Sequence, residues 1–200
     1  EEENTEDMER MGGVIDNTDK DYLDTSVLMH VKARLPWLLV LMVSYVFTGG
    51  MIANFEKSLS AVIALVSYMP MLMGTGGNSG TQSSTVIITS MAMGDLELSD
   101  IARVLWKEFR IGIIVGICVS VLNYMRIVAF DHNGSMVALT VCFSMVMIVV
   151  IAKCIGAILP MIAKKIGIDP ALIAGPMMAS LTDMVALGTY FSMARIVLKI

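Results

Sequence analysis

The sequence predicts an all-α membrane protein with five transmembrane helices per subunit, and three observations carry that fold class. Of the 200 residues 56% are hydrophobic and 16% charged, with a mean hydropathy of +0.75, outside the range of ordinary soluble chains. The apolar residues come in charge-free blocks at 35–55, 58–94, 111–125 and 133–152, followed by a stretch around Asp183. Charges collect between the blocks, and a helical span needs about 20 apolar residues to cross about 30 Å of hydrocarbon.

Residues 1–24 hold ten acids against Arg10 and Lys20 and read as the acidic tail of a preceding cytosolic domain or linker. The net charge of −4 therefore belongs to the tail, and the hydrophobic part is mildly basic. Residues 25–34 predict a short amphipathic connector helix, capped by Thr25 or Ser26 and leading to Pro36 and Trp37. The transmembrane pore domain then occupies 35–200. Its first span ends near Asn54, and Glu56-Lys57 makes a tight external turn. The 58–94 block is too long for one straight helix and too short for two. Pro70 and the run Gly74-Thr75-Gly76-Gly77-Asn78-Ser79-Gly80 predict a second span broken at its middle. On the third span Gly112, Gly116 and Ser120 form a small-residue face expected to pack on another helix.

Basic residues give orientation. With the N-terminus inside, Lys32, Arg34, Arg103, Lys107, Arg110, Lys164 and Lys165 are cytoplasmic, against Lys57, Arg126, Arg195 and Lys199 outside. This predicts a multi-pass protein of the cell membrane with its N-terminus cytoplasmic and its C-terminus outside. Lys153 is expected to snorkel to the cytoplasmic interface. Cys118, Cys142 and Cys154, without CxxC spacing, predict buried packing thiols, and His30 and His132 surface residues.

Asp183 is the only charge between Pro170 and Ala194. A carboxylate at mid-bilayer disfavours insertion by roughly 2.5–3.5 kcal/mol, so such acids face a protein interior or a wet path and mark ion or proton routes. Gly175, Ala179 and Asp183 share one helix face, and Gly175-Pro176 can loosen the helix and free carbonyl oxygens beside the acid. These three are the expected cation site. A bond from Asp183 to a Ser or Thr of a neighbouring helix, or a proton relay, is the competing use. The unwound stretch would bring Gly76, Gly77, Asn78, Ser79, Thr81 and Gln82 to the pore wall as neutral donors and acceptors, whereas a kink with close helix packing is the bland alternative. One carboxylate per chain cannot surround a divalent ion, but a symmetric dimer brings two to one axis. Magnesium, which gives up its water reluctantly, suits such a sparse site. The nineteen methionines, without Cys or His beside them, read as packing filler and not as a copper(I) path.

The run Met69-Pro70-Met71-Leu72-Met73-Gly74-Thr75-Gly76-Gly77-Asn78-Ser79-Gly80-Thr81-Gln82, with Ala92-Met93-Gly94-Asp95 after it, resembles the signature second span of the MgtE family of magnesium channels. Asp169-Pro170-Ala171, Gly175-Pro176, Asp183 and Tyr190-Phe191 resemble that family's last span, and Arg34-Leu35-Pro36-Trp37-Leu38 its entry into the membrane. The resemblance covers residues 25–198. It implies a homodimer of five-span subunits, a pore between them, channel-type permeation of hydrated Mg2+, and the ion held at Asp183. It also implies a cytosolic magnesium-sensing region, an N-domain with paired CBS domains, ahead of this part. Thr89 stands where many relatives have Arg, and Gly175 where some have Asn. A broader divalent cation transporter, taking Mn2+ or Co2+, is the nearest alternative. Gly77-Asn78-Ser79-Gly80 also satisfies the GxSG pattern of intramembrane serine proteases, but no His follows in a later span to serve as base, so no enzyme is expected.

Overall fold

A computed structural model describes residues 9–14, 22–55, 63–131 and 134–199, and among them every regular element is helical. Five long helices follow in order: α1 (Val27–Asn54), α2 (Met69–Ala92), α3 (Ile101–Arg126), α4 (Ser135–Lys165) and α5 (Pro176–Leu198). A 3₁₀ segment, Ile63–Tyr68, feeds α2, and a single turn, Ala171–Ala174, precedes α5. By length and apolar composition α1, α3, α4 and α5 can each cross a membrane. With 24 residues α2 is as long as a span but less apolar than the other four. The Glu56-Lys57 turn, His132 and most of the acidic tail lie outside the described residues.

Expected as separate pieces, the 25–34 connector and the first span are one helix, running through Pro36. The second span departs further from expectation. It is not broken at its Gly-rich centre, since α2 is continuous from Met69 to Ala92. In hydrocarbon an unwound turn abandons several backbone hydrogen bonds at several kcal/mol each, while each glycine costs a helix only about 1 kcal/mol. Pro70 falls in the first turn of α2, where its missing N–H has no partner to lose. The discontinuity sits instead at Gly175, whose φ of −82° and ψ of −109° separate the 171–174 turn from α5.

The glycines of α2 serve packing. A methyl on Gly76 would lie 2.9 Å from Ile148 Cγ2 of α4, and one on Gly80 would lie 2.8 Å from Thr182 Cγ2 of α5. A methyl on Gly156 of α4 would run into the Gly80 carbonyl. So α2 nests between α4 and α5 at backbone distance. The expected face on α3 does the same against α4: side chains at Gly112 and Gly116 would meet the Val150 and Val146 Cα atoms at 2.9 and 3.1 Å. Ser120 adds a hydrogen bond from its hydroxyl to the Cys142 carbonyl, 3.0 Å.

The core lies around α4, with Leu72 of α2, Met145 and Ile148 of α4, and Leu187 and Tyr190 of α5 almost fully buried. Tyr190 donates to the Leu65 carbonyl at 2.9 Å, fixing the 3₁₀ entry to α2. By contrast α1 leans mainly on α5, and much of its apolar surface, Val46 and Phe47 included, is open. Of the three thiols only Cys142 is buried; Cys118 is exposed on α3, contrary to expectation, because the packed face of that helix is the Gly112–Gly116–Ser120 side.

Gly156→Val should lower the stability of the folded chain by about 1–3 kcal/mol through forced separation of α2 and α4. Gly49→Ala, at a helical position with open space, should raise it by up to about 1 kcal/mol. Thermal unfolding in detergent micelles reads both, and equal midpoints would remove close approach as the reason for the α2 glycines.

Candidate cation site

Asp183 lies in the second turn of α5, half-buried, and its carboxylate takes no hydrogen bond or ion pair among the described residues. The competing use, a bond to a neighbouring Ser or Thr, is therefore not made. The hydroxyls around it have other partners. Ser180 donates to Ser44 Oγ of α1 at 2.6 Å, and Thr182 reaches the Met178 and Ala179 carbonyls at 2.8 and 2.9 Å. Inside α5 the Ala179 carbonyl accepts the Thr182 hydroxyl in addition to its helical bond, so both of its lone pairs are engaged, whereas the Gly175 carbonyl accepts one bond, from the Ala179 N–H at 3.2 Å, and keeps a second lone pair.

Gly175 is also covered. The backbone of residues 9–14 crosses it so closely that a side chain there would strike the Met11 carbonyl. Arg10 pairs with Asp169 at the same end of α5, and Gly13, at φ 79°, lies against the Trp37 ring of α1. A positive φ and the lack of room both require glycine at that position.

The residues expected on the pore wall divide between two sides of α2. Gly76 and Gly77 face Thr182 and the Ala179–Ala186 side of α5, and Ser79 is buried in the packed helix. Gly74, Asn78, Gln82, Thr85 and Thr89, spaced by three or four residues, form an open face. The amides of Asn78 and Gln82 have no partner among the described residues. An open polar helix face is costly against lipid, where nothing satisfies it, and is at home against water or protein.

Asn78, Thr81 and Gln82 line a cavity of 1020 Å³ between α2, α3 and the α4 side chain of Lys153. Here Lys153 corrects its expectation: it is 5% exposed and turned inward, donating to Ser83 Oγ at 3.4 Å. Ser83 in turn donates to Glu108 Oε2 of α3 at 2.6 Å, with Glu108 7% exposed. An acceptor on Ser83 and the Glu108 carboxylate beyond it hold the ammonium within the helix packing instead. Glu108 escaped the sequence reading as one charge of the Arg103–Arg110 loop. Its signal was there: Val104, Glu108, Gly112, Gly116 and Ser120 recur every four residues and form the buried face of α3. Asp183 does not line this cavity. Among the described residues no three acidic, His or Cys side chains converge on a point that could chelate a metal ion.

Residues 69–193 match the family model MgtE, described as a divalent cation transporter. The magnesium transporter MgtE of Thermus thermophilus is 38% identical over 199 residues, covering all of this chain and 44% of that protein. The protein of the same name from Bacillus subtilis is 33% identical over 192 residues, covering 90% of this chain and 42% of its own length. That of Enterococcus faecalis is 29% identical over 181 residues, covering 90% and 40%. The chain thus spans less than half the length of these curated relatives.

Gly175→Val should displace residues 9–14 and expose the Arg10 peptide bond, raising tryptic cleavage there several-fold, and Asp169→Asn should do the same by removing the ion pair. Limited proteolysis followed by mass spectrometry checks both. Cleavage at the parent's rate in both variants would mean that the segment is held by other contacts.

Proposed function

Because the chain belongs to the MgtE family of divalent cation transporters, whose members are transporters and not enzymes, we propose that it is the magnesium-conducting membrane domain of a homodimer. In this reading α2 is the fifth span, the pore runs between two subunits, and the two Asp183 carboxylates face one another across it. The observation that carries it is the state of Asp183: an isolated acid in an apolar helix, half-buried, with no protein donor or cation among the described residues. A carboxylate held so is left with its acceptor capacity for something else, and water bound to a dication supplies the donors.

The chemistry is outer-sphere. Two carboxylates cannot replace the six oxygens that Mg2+ requires, and the ion sheds its water reluctantly, so it passes hydrated. The Gly175 carbonyl oxygen, through its free lone pair, extends the acceptor line along α5 toward its inner end, and the small Ala179 leaves room for the water shell between it and the carboxylate. The open face of α2 with Asn78 and Gln82 supplies neutral polar groups to the ion's water shell at another point of the path. Charge carries attraction and the amides carry fit, a division that lets an ion enter without being trapped. With the N-terminus cytoplasmic, residues 9–14 cover the inner end of α5, where a cytosolic magnesium-sensing region would act on the pore. GxSG chemistry has no support here, since Ser79 is buried in the packed part of α2.

Asp183→Asn should lower Mg2+ uptake into reconstituted vesicles by roughly tenfold or more, with the dimer still folded. Asn78→Leu or Gln82→Leu should lower it less, by about threefold. Fluorescent-indicator flux assays with a size-exclusion check of the dimer measure these effects. Parental flux in Asp183→Asn would refute the assignment of the ion site.

A further inference from the structure

Glu108, Ser83 and Lys153 are a buried charged network with no place in the Asp183 site. Buried ions are costly unless paired and hydrogen-bonded. Here three helices contribute one member each: Ser83 from α2, Glu108 from α3, Lys153 from α4. The network does not close on itself, since Glu108 and Lys153 meet only through the Ser83 hydroxyl. Both charged side chains instead reach the wall of the 1020 Å³ cavity, beside Asn78, Thr81 and Gln82. Asp95 and Lys107 stand at the same cavity, so its four charges cancel.

A cavity of this size holds a hydrated dication, and its wall offers one buried carboxylate together with side-chain amide and hydroxyl oxygens. A carboxylate alone would hold a dication tightly in a low-dielectric wall. A lysine fixed beside it subtracts from that hold without closing the space. We propose that this cavity is a second cation site, a transit site on the inner side of α2 in which Glu108 draws a hydrated dication through its water and Lys153 keeps the hold weak. The inference rests on the pore reading above, and it assigns to Lys153 the opposite electrostatic role to Glu108. Ser83 is the positioning residue that keeps the two apart and at fixed orientation.

Opposite roles make a test that a merely structural charge pair would fail. Glu108→Gln should raise the Mg2+ concentration for half-maximal flux by about fivefold, the scale of one charge acting on a dication at several ångströms in a wet cavity. Lys153→Met should lower that concentration by a similar factor and reduce maximal flux, because the ion leaves slowly. Glu108→Gln with Lys153→Met should return close to the parent. If the pair only holds helices together, both single variants shift in the same direction, and that result overturns the proposal, as does no shift in either. Should a core variant fail to fold, Thr85→Glu and Thr85→Lys at the exposed cavity wall give the same reading: a lowered and a raised half-saturation respectively, with equal values overturning it. Asp183→Asn in the same vesicles separates the two readings. If it leaves flux intact the pore assignment fails; if it stops flux while the Glu108 and Lys153 variants move together, only the second site fails.

Discussion

Gly156 of α4 lies so close to the Gly80 carbonyl of α2 that it has no room for a side chain, Gly80 itself is closed off by Thr182 of α5, and the placement of the polar groups follows from these contacts. With its glycine side spent on α4 and α5, α2 can only turn Asn78, Gln82 and Thr85 the other way, onto the open face and the cavity. The same closeness brings Ser83 within reach of both Glu108 and Lys153. It also sets the Thr182 side of α5 against Gly77 and Gly80, which leaves the face carrying Asp183 only partly covered. Backbone proximity, not any polar bond, is the constraint on which the remainder depends.

Two acids in the long helices illustrate how burial divides labour. Glu108 is nearly enclosed and satisfied by a serine, so it is an internal countercharge. Asp183 is half-exposed and has no described partner. A desolvated carboxylate without a donor is unstable on its own, and the deficit is made good by whatever occupies the space before it.

Helical class and the packing face of α3 were legible in the sequence, because charge-free length and a four-residue repeat of small residues both follow from local chemistry, whereas the helix ends were not, since α1, α3 and α4 run on into charged segments. Asp183 was legible for the same reason: one charge in an apolar run needs no neighbour to be noticed. The continuity of α2 was not, since glycine content argues for a break in water and for close packing in a bundle, and only the positions of Ile148, Gly156 and Thr182 decide between them. Lys153 and Glu108 were hidden because their partners are separated by tens of residues; each looks like a membrane-edge charge until the helices are assembled. The Gly175 break was half visible, as Gly-Pro is a loosening pair, but its covering by residues 9–14 depends on a long-range contact.

The break at Gly175 has a mechanical meaning. A continuous rod from Pro170 to Leu198 would carry any twist at its N-terminal tip straight to the carboxylate. With a swivel at Gly175, one residue's torsions absorb such motion, as small hinge segments do. A tug on Asp169 by Arg10 then pivots the four-residue turn while the remaining length of α5 stays seated on α2 and α4. The torsions at Gly175 can therefore change without displacing the part of α5 that carries Asp183.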